Sequence, residues 1–304
     1  MKPFLLKILL IICLPLSVII GYVEYALRGI PNNYQYKNMQ IERYIDSIRI
    51  LTLGASHGYY GINPAYFTDK GFNLSFISQS YKYDHWLYHK YIDRCKELQY
   101  LILPVSYPML RTNLETGLEW WRIKGYCIYM GCNYHIFEPK YHLEISTKDQ
   151  LKLFKEILFK EVNNITCDSL GYGTNYKMKF RSEEWWSIGM TACVRHTNSS
   201  MKYINENVQY IQNIIADCNK RGIKVILLTT PTHNSYYDLL EVSQLTEMER
   251  ICDNLDKQYE HVVYLNWLKH SDFTEEDFYD ADHLNEYGAE KLTRMLDQYI
   301  MNWE

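Results

Sequence analysis

Two short blocks hold residue types that can do chemistry together. Gly54-Ala55-Ser56-His57-Gly58 directly follows the apolar run Ile48-Arg49-Ile50-Leu51-Thr52-Leu53. It matches G-x-S-x-G, in which glycines let a strand turn tightly into a helix and expose the serine hydroxyl. The amides that follow such a serine can bind an oxyanion. The structural alternative is a tight turn whose Ser56 caps the next helix. The second block, Asp280-Ala281-Asp282-His283-Leu284-Asn285, precedes the last helical pattern of the chain. A carboxylate three residues before a histidine can orient the imidazole and leave its other nitrogen to take a proton. The structural alternative there is an acidic loop with Asn285 as a helix cap. Taken together, the blocks point to Ser56 as nucleophile, His283 as base and Asp280 as the orienting acid. Asp282, adjacent to His283, is the competing acid.

Such residues meet only if the elements between them bring both blocks to one edge. Short apolar, β-prone runs cover 48–53, 72–76, 100–104, 223–229 and 261–266. Helical patterns cover 81–95, 201–221, 238–259 and 286–301, and Gly222 suits a left-handed helix end. This alternation implies βαβ units and a parallel sheet covered on both faces. Ser56 follows the first strand and His283 the last, so both can lie at the same sheet edge. Residues 105–197 break the rhythm and contain Trp120-Trp121 and Trp185-Trp186. They read as an insertion after the third strand that folds over the Ser56 edge and supplies substrate contacts.

The chain has 304 residues with 32 basic and 36 acidic side chains, a net charge of -4 without any basic run, which argues against a nucleic-acid-binding surface. Its 47% hydrophobic content excludes disorder. The 29 Tyr, 7 Trp and 10 Phe suit broad polar surfaces or sugar-facing clefts. Phe4 to Val23 is almost unbroken apolar sequence, long enough for a hydrocarbon core of ~30 Å. Lys2 and Lys7 on its near side favour a cytoplasmic N-terminus and an extracytoplasmic remainder. An uncleaved anchor over 1–27 is expected, then a connector over 28–47 and one domain over 48–304; a cleaved signal peptide is the rival. Eight cysteines include no C-x-x-C pair. Cys127 with Cys132, and Cys167 with Cys193, could bridge in an oxidising compartment, whereas Cys95 and Cys218 read as buried thiols.

An α/β-hydrolase would place several strands before its nucleophile and its acid well upstream of its histidine. The serine block near the start and the D-x-x-H block near the end instead resemble the SGNH (GDSL-type) hydrolase superfamily. The likeness extends to a membrane-anchored branch that includes teichoic-acid D-alanyl-transfer and alginate O-acetylation proteins. The resemblance implies an α/β, flavodoxin-like three-layer α/β/α sandwich with a mostly parallel five-stranded sheet. It implies Ser56 as nucleophile, His283 as base and Asp280 as acid, with no cofactor. The family's oxyanion glycine and asparagine have no counterparts in 73–80 or 104–107, so the Ser78 and Gln79 amides, or the Gln79 side chain, are the expected substitutes. Thr230 and His233 after the fourth strand, and Arg195 and His196 at the end of the insertion, are candidate substrate contacts. No metal-ligand spacing occurs.

The implied activity is ester hydrolysis or O-acyl transfer on a cell-surface or exported polysaccharide, through an acyl-serine. Its expected partners are a glycan or acyl-donor substrate, the membrane and a membrane-bound acyl-transfer protein. A non-catalytic module that presents aromatic residues to polysaccharide is the alternative.

Overall fold

The computed structural model describes residues 2–146 and 148–303, apart from the side chains of 2–10 and 148–151. The Lys2 and Lys7 side chains, on which the orientation expectation rests, therefore lie outside the described residues. In chain order the elements are α1 (Lys2–Arg28), α2 (Asn33–Tyr44), β1 (Ile50–Thr52), α3 (Ser56–Gly61), β2 (Gly71–Asn73), α4 (Tyr81–Tyr91) and β3 (Tyr100–Pro104). There follow α5 (Lys148–Ile157), α6 (Ile188–His196), α7 (Ile204–Arg221), β4 (Lys224–Thr229), α8 (Asn234–Tyr237), α9 (Val242–Gln258), β5 (Val262–Asn266) and α10 (Glu286–Met301).

The five strands form one parallel sheet in the order β2-β1-β3-β4-β5, the flavodoxin-like order. Alternation along each strand sends side chains to both faces. Ile50, Ile102, Ile226 and Leu228 join Leu292, Leu296 and Ile300 of α10 in one core. Leu51, Leu101, Val225 and Leu227, equally buried, point the other way, where α7 packs on both α4 and β4 and α9 lies along β5. A sheet covered on both faces needs continuous apolar strands, as these are. The strand order reverses between β1 and β3, so the loops after these strands sit at the sheet's switch point, on the carboxyl edge where α/β sheets bind ligands.

The elements depart from expectation where local capping intervenes. The supposed connector 28–47 is largely helix, because Asn32 accepts from the Tyr34 and Gln35 N–H groups and so starts α2. The helix expected over 238–259 begins only at Val242, where Glu241 accepts from the Ser243 and Gln244 N–H groups. All eight cysteines are free thiols, seven of them buried, so neither suggested bridge is present.

The chain divides into two compact units. Met39–Glu119 with Thr166–Glu304 contains the sheet, and Met1–Asn38 with Trp120–Ile165 contains α1 and α5. The insertion 105–197 is thus shared between them. In the smaller unit, Ile11–Arg28 of α1 is long and apolar enough to cross a membrane.

Candidate active site

The turn after β1 is shaped by close approach. Gly54 has φ 111°, in the left-handed half of the map, and a Cβ there would sit 3.0 Å from Pro104 Cδ at the end of β3. A Cβ on Gly58 would lie 2.6 Å from Ser75 Oγ and 3.0 Å from Pro104 Cγ. Both glycines of G-x-S-x-G therefore let the turn nest between the ends of β2 and β3. Neutral hydrogen bonds lock it. Asn73 Nδ2 donates to the Gly58 and Ile62 carbonyls at 2.8 and 2.7 Å, and Ser75 Oγ donates to the Leu53 carbonyl at 2.9 Å. The Gly54 N–H donates to Asp84 Oδ1 at 2.7 Å. Asp84 is fully buried in α4, and burial pushes its carboxyl up to about 7 against the opposing pull of Gln79 and the Gly54 N–H.

Ser56 opens α3. The Gly58 and Tyr59 N–H groups return to the Ala55 carbonyl at 3.1 and 3.0 Å. Among the described residues nothing accepts from the Ser56 or His57 N–H, the orphan donors of a helix start.

The loop before α10 brings the other block to the same point. Asp280 Oδ1 accepts from the Asp282 and His283 N–H groups at 3.1 and 2.8 Å, a turn that swings the imidazole back over its own carboxylate. His283 Nδ1 then lies 3.0 and 3.2 Å from the two Asp280 oxygens, and Nε2 lies 2.8 Å from Ser56 Oγ. Asn285 caps α10 by accepting from the Tyr287 and Gly288 N–H groups, so the D-x-x-H block holds its acid–base pair and its helix cap at once.

A protein-family model matches residues 150–303. No curated protein sequence matches. Solved structures that match include a GDSL-like lipase from Bacteroides thetaiotaomicron VPI-5482, at 9% identity and TM-score 0.43 over 89% of this chain and 98% of that one. Another is a catalytic mutant of an acetylxylan esterase from Geobacillus stearothermophilus, at 10% identity and TM-score 0.42 over 84% and 95%. Ser56, His283 and Asp280 form one hydrogen-bonded line that joins the loops after the first and last strands. That line and the β2-β1-β3-β4-β5 sheet agree with the serine-first, D-x-x-H-last layout read from the sequence.

Asp282, the competing acid, is 1% exposed and sits among three imidazoles. Its Oδ1 is 3.5 Å from His283 Nδ1, and its Oδ2 is 3.9 Å from His57 Nε2 and 3.8 Å from His196 Nδ1. Burial alone would raise the Asp282 carboxyl, but the His283 charge holds it well below the ordinary range. Burial likewise opposes charge on His283, yet Asp282 and Asp280 outweigh it and raise His283 well above the usual histidine value. Burial, aided by the neighbouring His283, pushes His57 down to about 3. Burial also pushes His196 down to about 4, so both rings are neutral. His57, Asp282 and His283 could together offer a metal three ligand atoms within 4.8 Å of one another. Both His283 nitrogens are already engaged by Asp280 and Ser56, so an ion there would compete with the serine arrangement.

Among the expected contacts, Gln79, Ser78, His233 and Thr230 are tied into the fold, whereas Arg195 stays open. The Gln79 N–H donates to the Phe76 carbonyl and its Nε2 to Asp84, so both groups brace the fold. Ser78 takes a left-handed φ of 58° and turns its hydroxyl onto Glu119. His233 caps α8, with Nδ1 2.9 Å from Ser235 Oγ, and its ring packs against Trp185 and Phe278. Thr230 is buried, and a Cβ on Gly61 would touch its methyl group. Arg195 is exposed beside His196. Trp185 is buried in the core with Phe278, while Trp120 lies in the smaller unit against Tyr141.

Residues 166–197 do reach the site, through different side chains. Tyr176 stacks on Tyr60 at 3.6 Å between centroids and on Tyr279 at 4.0 Å. Tyr60 and Tyr176 both stand perpendicular to the His283 ring, at 5.9 and 5.5 Å. Burial and the nearby Asp280 raise the Tyr176 phenol, so it remains neutral. No spacing in the sequence links residues 60, 176 and 279.

Proposed function

We propose that this chain is a serine esterase or O-acyltransferase acting on acyl groups of a cell-surface or exported polysaccharide. The observation that carries the reading is the unbroken line from Asp280 through His283 to Ser56 Oγ. Ser56 Oγ attacks the ester carbonyl as His283 Nε2 accepts its proton, and the Ser56 and His57 N–H groups face the oxyanion that forms. Asp280 keeps the other imidazole nitrogen protonated and stabilises the imidazolium. The tetrahedral intermediate collapses to acyl-serine, and His283 returns the proton to the departing alcohol. Water or a sugar hydroxyl then repeats the sequence in reverse. Hydrolysis and transfer use the same residues and differ in which acceptor arrives. Exposed Arg195 and the edge of the Tyr60–Tyr176–Tyr279 stack are the groups proposed to meet the substrate. The apolar helix α1 is proposed to tether the domain outside the membrane, where exported glycans and a membrane-bound acyl-transfer partner are found.

Labelling with a fluorophosphonate tests the nucleophile. The intact protein is expected to label and Ser56→Ala to remain unlabelled, with thermal melts showing both folded. A folded wild-type protein that takes no label would favour a non-catalytic glycan-binding module. Product release measured with and without a sugar acceptor separates transfer from hydrolysis.

A further inference from the structure

The smaller unit grips α1 at a definite height. Along Ile11–Tyr22 the apolar side chains of α1 are open, whereas Val23, Leu27 and Ile30 are buried against Ile145, Leu153, Phe154, Ile157 and Val162. The Glu24 carboxylate accepts from the Glu144 and Ile145 N–H groups at 3.0 and 3.1 Å and from Arg28 Nε at 2.6 Å. Polar fastening begins where the open apolar surface ends, so the membrane boundary falls near Tyr22, a residue type favoured at that depth.

Helix α5 lies at the same height. The Phe154 ring meets Tyr22 edge-on at 6.3 Å between centroids. Just beyond Ile157, Leu158 is 55% and Phe159 88% exposed, although both follow an apolar face packed on α1. One helical turn advances about 5.4 Å, and the headgroup region is roughly 5 to 7 Å deep on each side of the hydrocarbon. Phe159 lies in the chain between Phe154, which meets Tyr22, and Asn164, whose N–H donates to the Pro31 carbonyl at 2.9 Å, so it stays near the end of the open span. Lys152 and Lys155 are exposed on the same helix, the cations that pair with lipid phosphates, while Lys160 pairs with Glu156 at 3.3 Å.

We propose that the C-terminal end of α5, with Leu158 and Phe159, is an interfacial foot that inserts into the headgroup boundary of a phospholipid bilayer beside α1. The foot gives the protein a second hold on the bilayer and limits tilting of the smaller unit. This rests on α1 spanning that bilayer, as the proposed function requires.

Fluorophore quenching in nanodiscs of zwitterionic and anionic phospholipid tests it on the full chain. Cys13 is the exposed thiol of the wild-type protein and the other seven are buried, so a label on Cys13 reports on the anchor. In a Cys13→Ala background, Phe159→Cys reports on the foot, and Gln35→Cys, exposed in the same unit beside Asn32 past the end of α1, serves as reference. Lipid with a nitroxide near its headgroup is expected to quench the label at 159 several-fold more than the label at 35. Quenching at Cys13 with position 159 no different from 35 overturns the foot and leaves the anchor standing, whether water, a second copy or another protein covers that face. A Cys13 label that acyl-chain nitroxides do not quench removes the anchor and the foot together.

Discussion

The turn that carries Ser56 and the loop that carries His283 meet at one hydrogen bond but are held by different physics. Around Ser56 the restraints are mainly steric: two glycines pressed against Pro104 and Ser75 and side-chain amide bonds from Asn73, with one titratable group, the buried Asp84 carboxyl. Around His283 the restraints are charges, with Asp280 and Asp282 both within 3.5 Å of Nδ1. Steric restraints fix position at any pH. Charge restraints fix both position and protonation state, so the second region sets the conditions under which the first can act.

The largest effect separating the two regions is expected at Asp280. Asp280→Asn keeps the loop's size but favours the wrong imidazole tautomer and removes the charge opposite the imidazolium, for a loss of about 10⁴-fold in kcat/KM. Activity on one activated ester, with melts to confirm folding, measures it. A loss this large at Asp282→Asn, and little at Asp280→Asn, would reverse the assignment.

Asp282→Asn is expected to act on pH dependence. His283 must be neutral to accept the Ser56 proton, and its raised value means that activity climbs only as pH passes above the ordinary histidine range. Removing the Asp282 charge should move this acid limb of the kcat/KM profile to lower pH, with a smaller loss at the plateau than Asp280→Asn causes. An unmoved limb would mean that Asp282 does not feel the His283 charge. Stability runs the opposite way with pH. His283 stabilises the fold fully below its unfolded value, and that contribution is lost as pH rises through its raised folded value. Melts of the wild type should therefore lose stability over an alkaline window that Asp282→Asn narrows.

The smallest effect should come from the steric side. Gly58→Ala would force Ser75 Oγ and Pro104 to move, destabilising the protein by about 1–3 kcal/mol. The position of the acid limb should not change, because no charge near His283 is altered. A melt and a pH profile on the same variant check both halves of that expectation.

Local pattern was enough to read the α/β alternation and the five strands, because apolar runs and helix-end glycines act over a few residues. Ser56 and His283 were legible because each follows a strand end, and Asp280 because it reaches the histidine within a single turn. The failures share a cause. Gln79, offered as an oxyanion donor, serves Asp84, and Asp84 serves Gly54 from thirty residues away. His57, His196 and His283 gather on Asp282 from three separate segments, and Tyr176 enters from an insertion whose tryptophans looked the better candidates. Sequence periodicity reports which face of an element turns inward. Which side chains then meet across elements depends on how the sheet and its loops pack, and here that packing decided the second carboxylate, the tyrosine stack and the carboxyl that holds the serine turn.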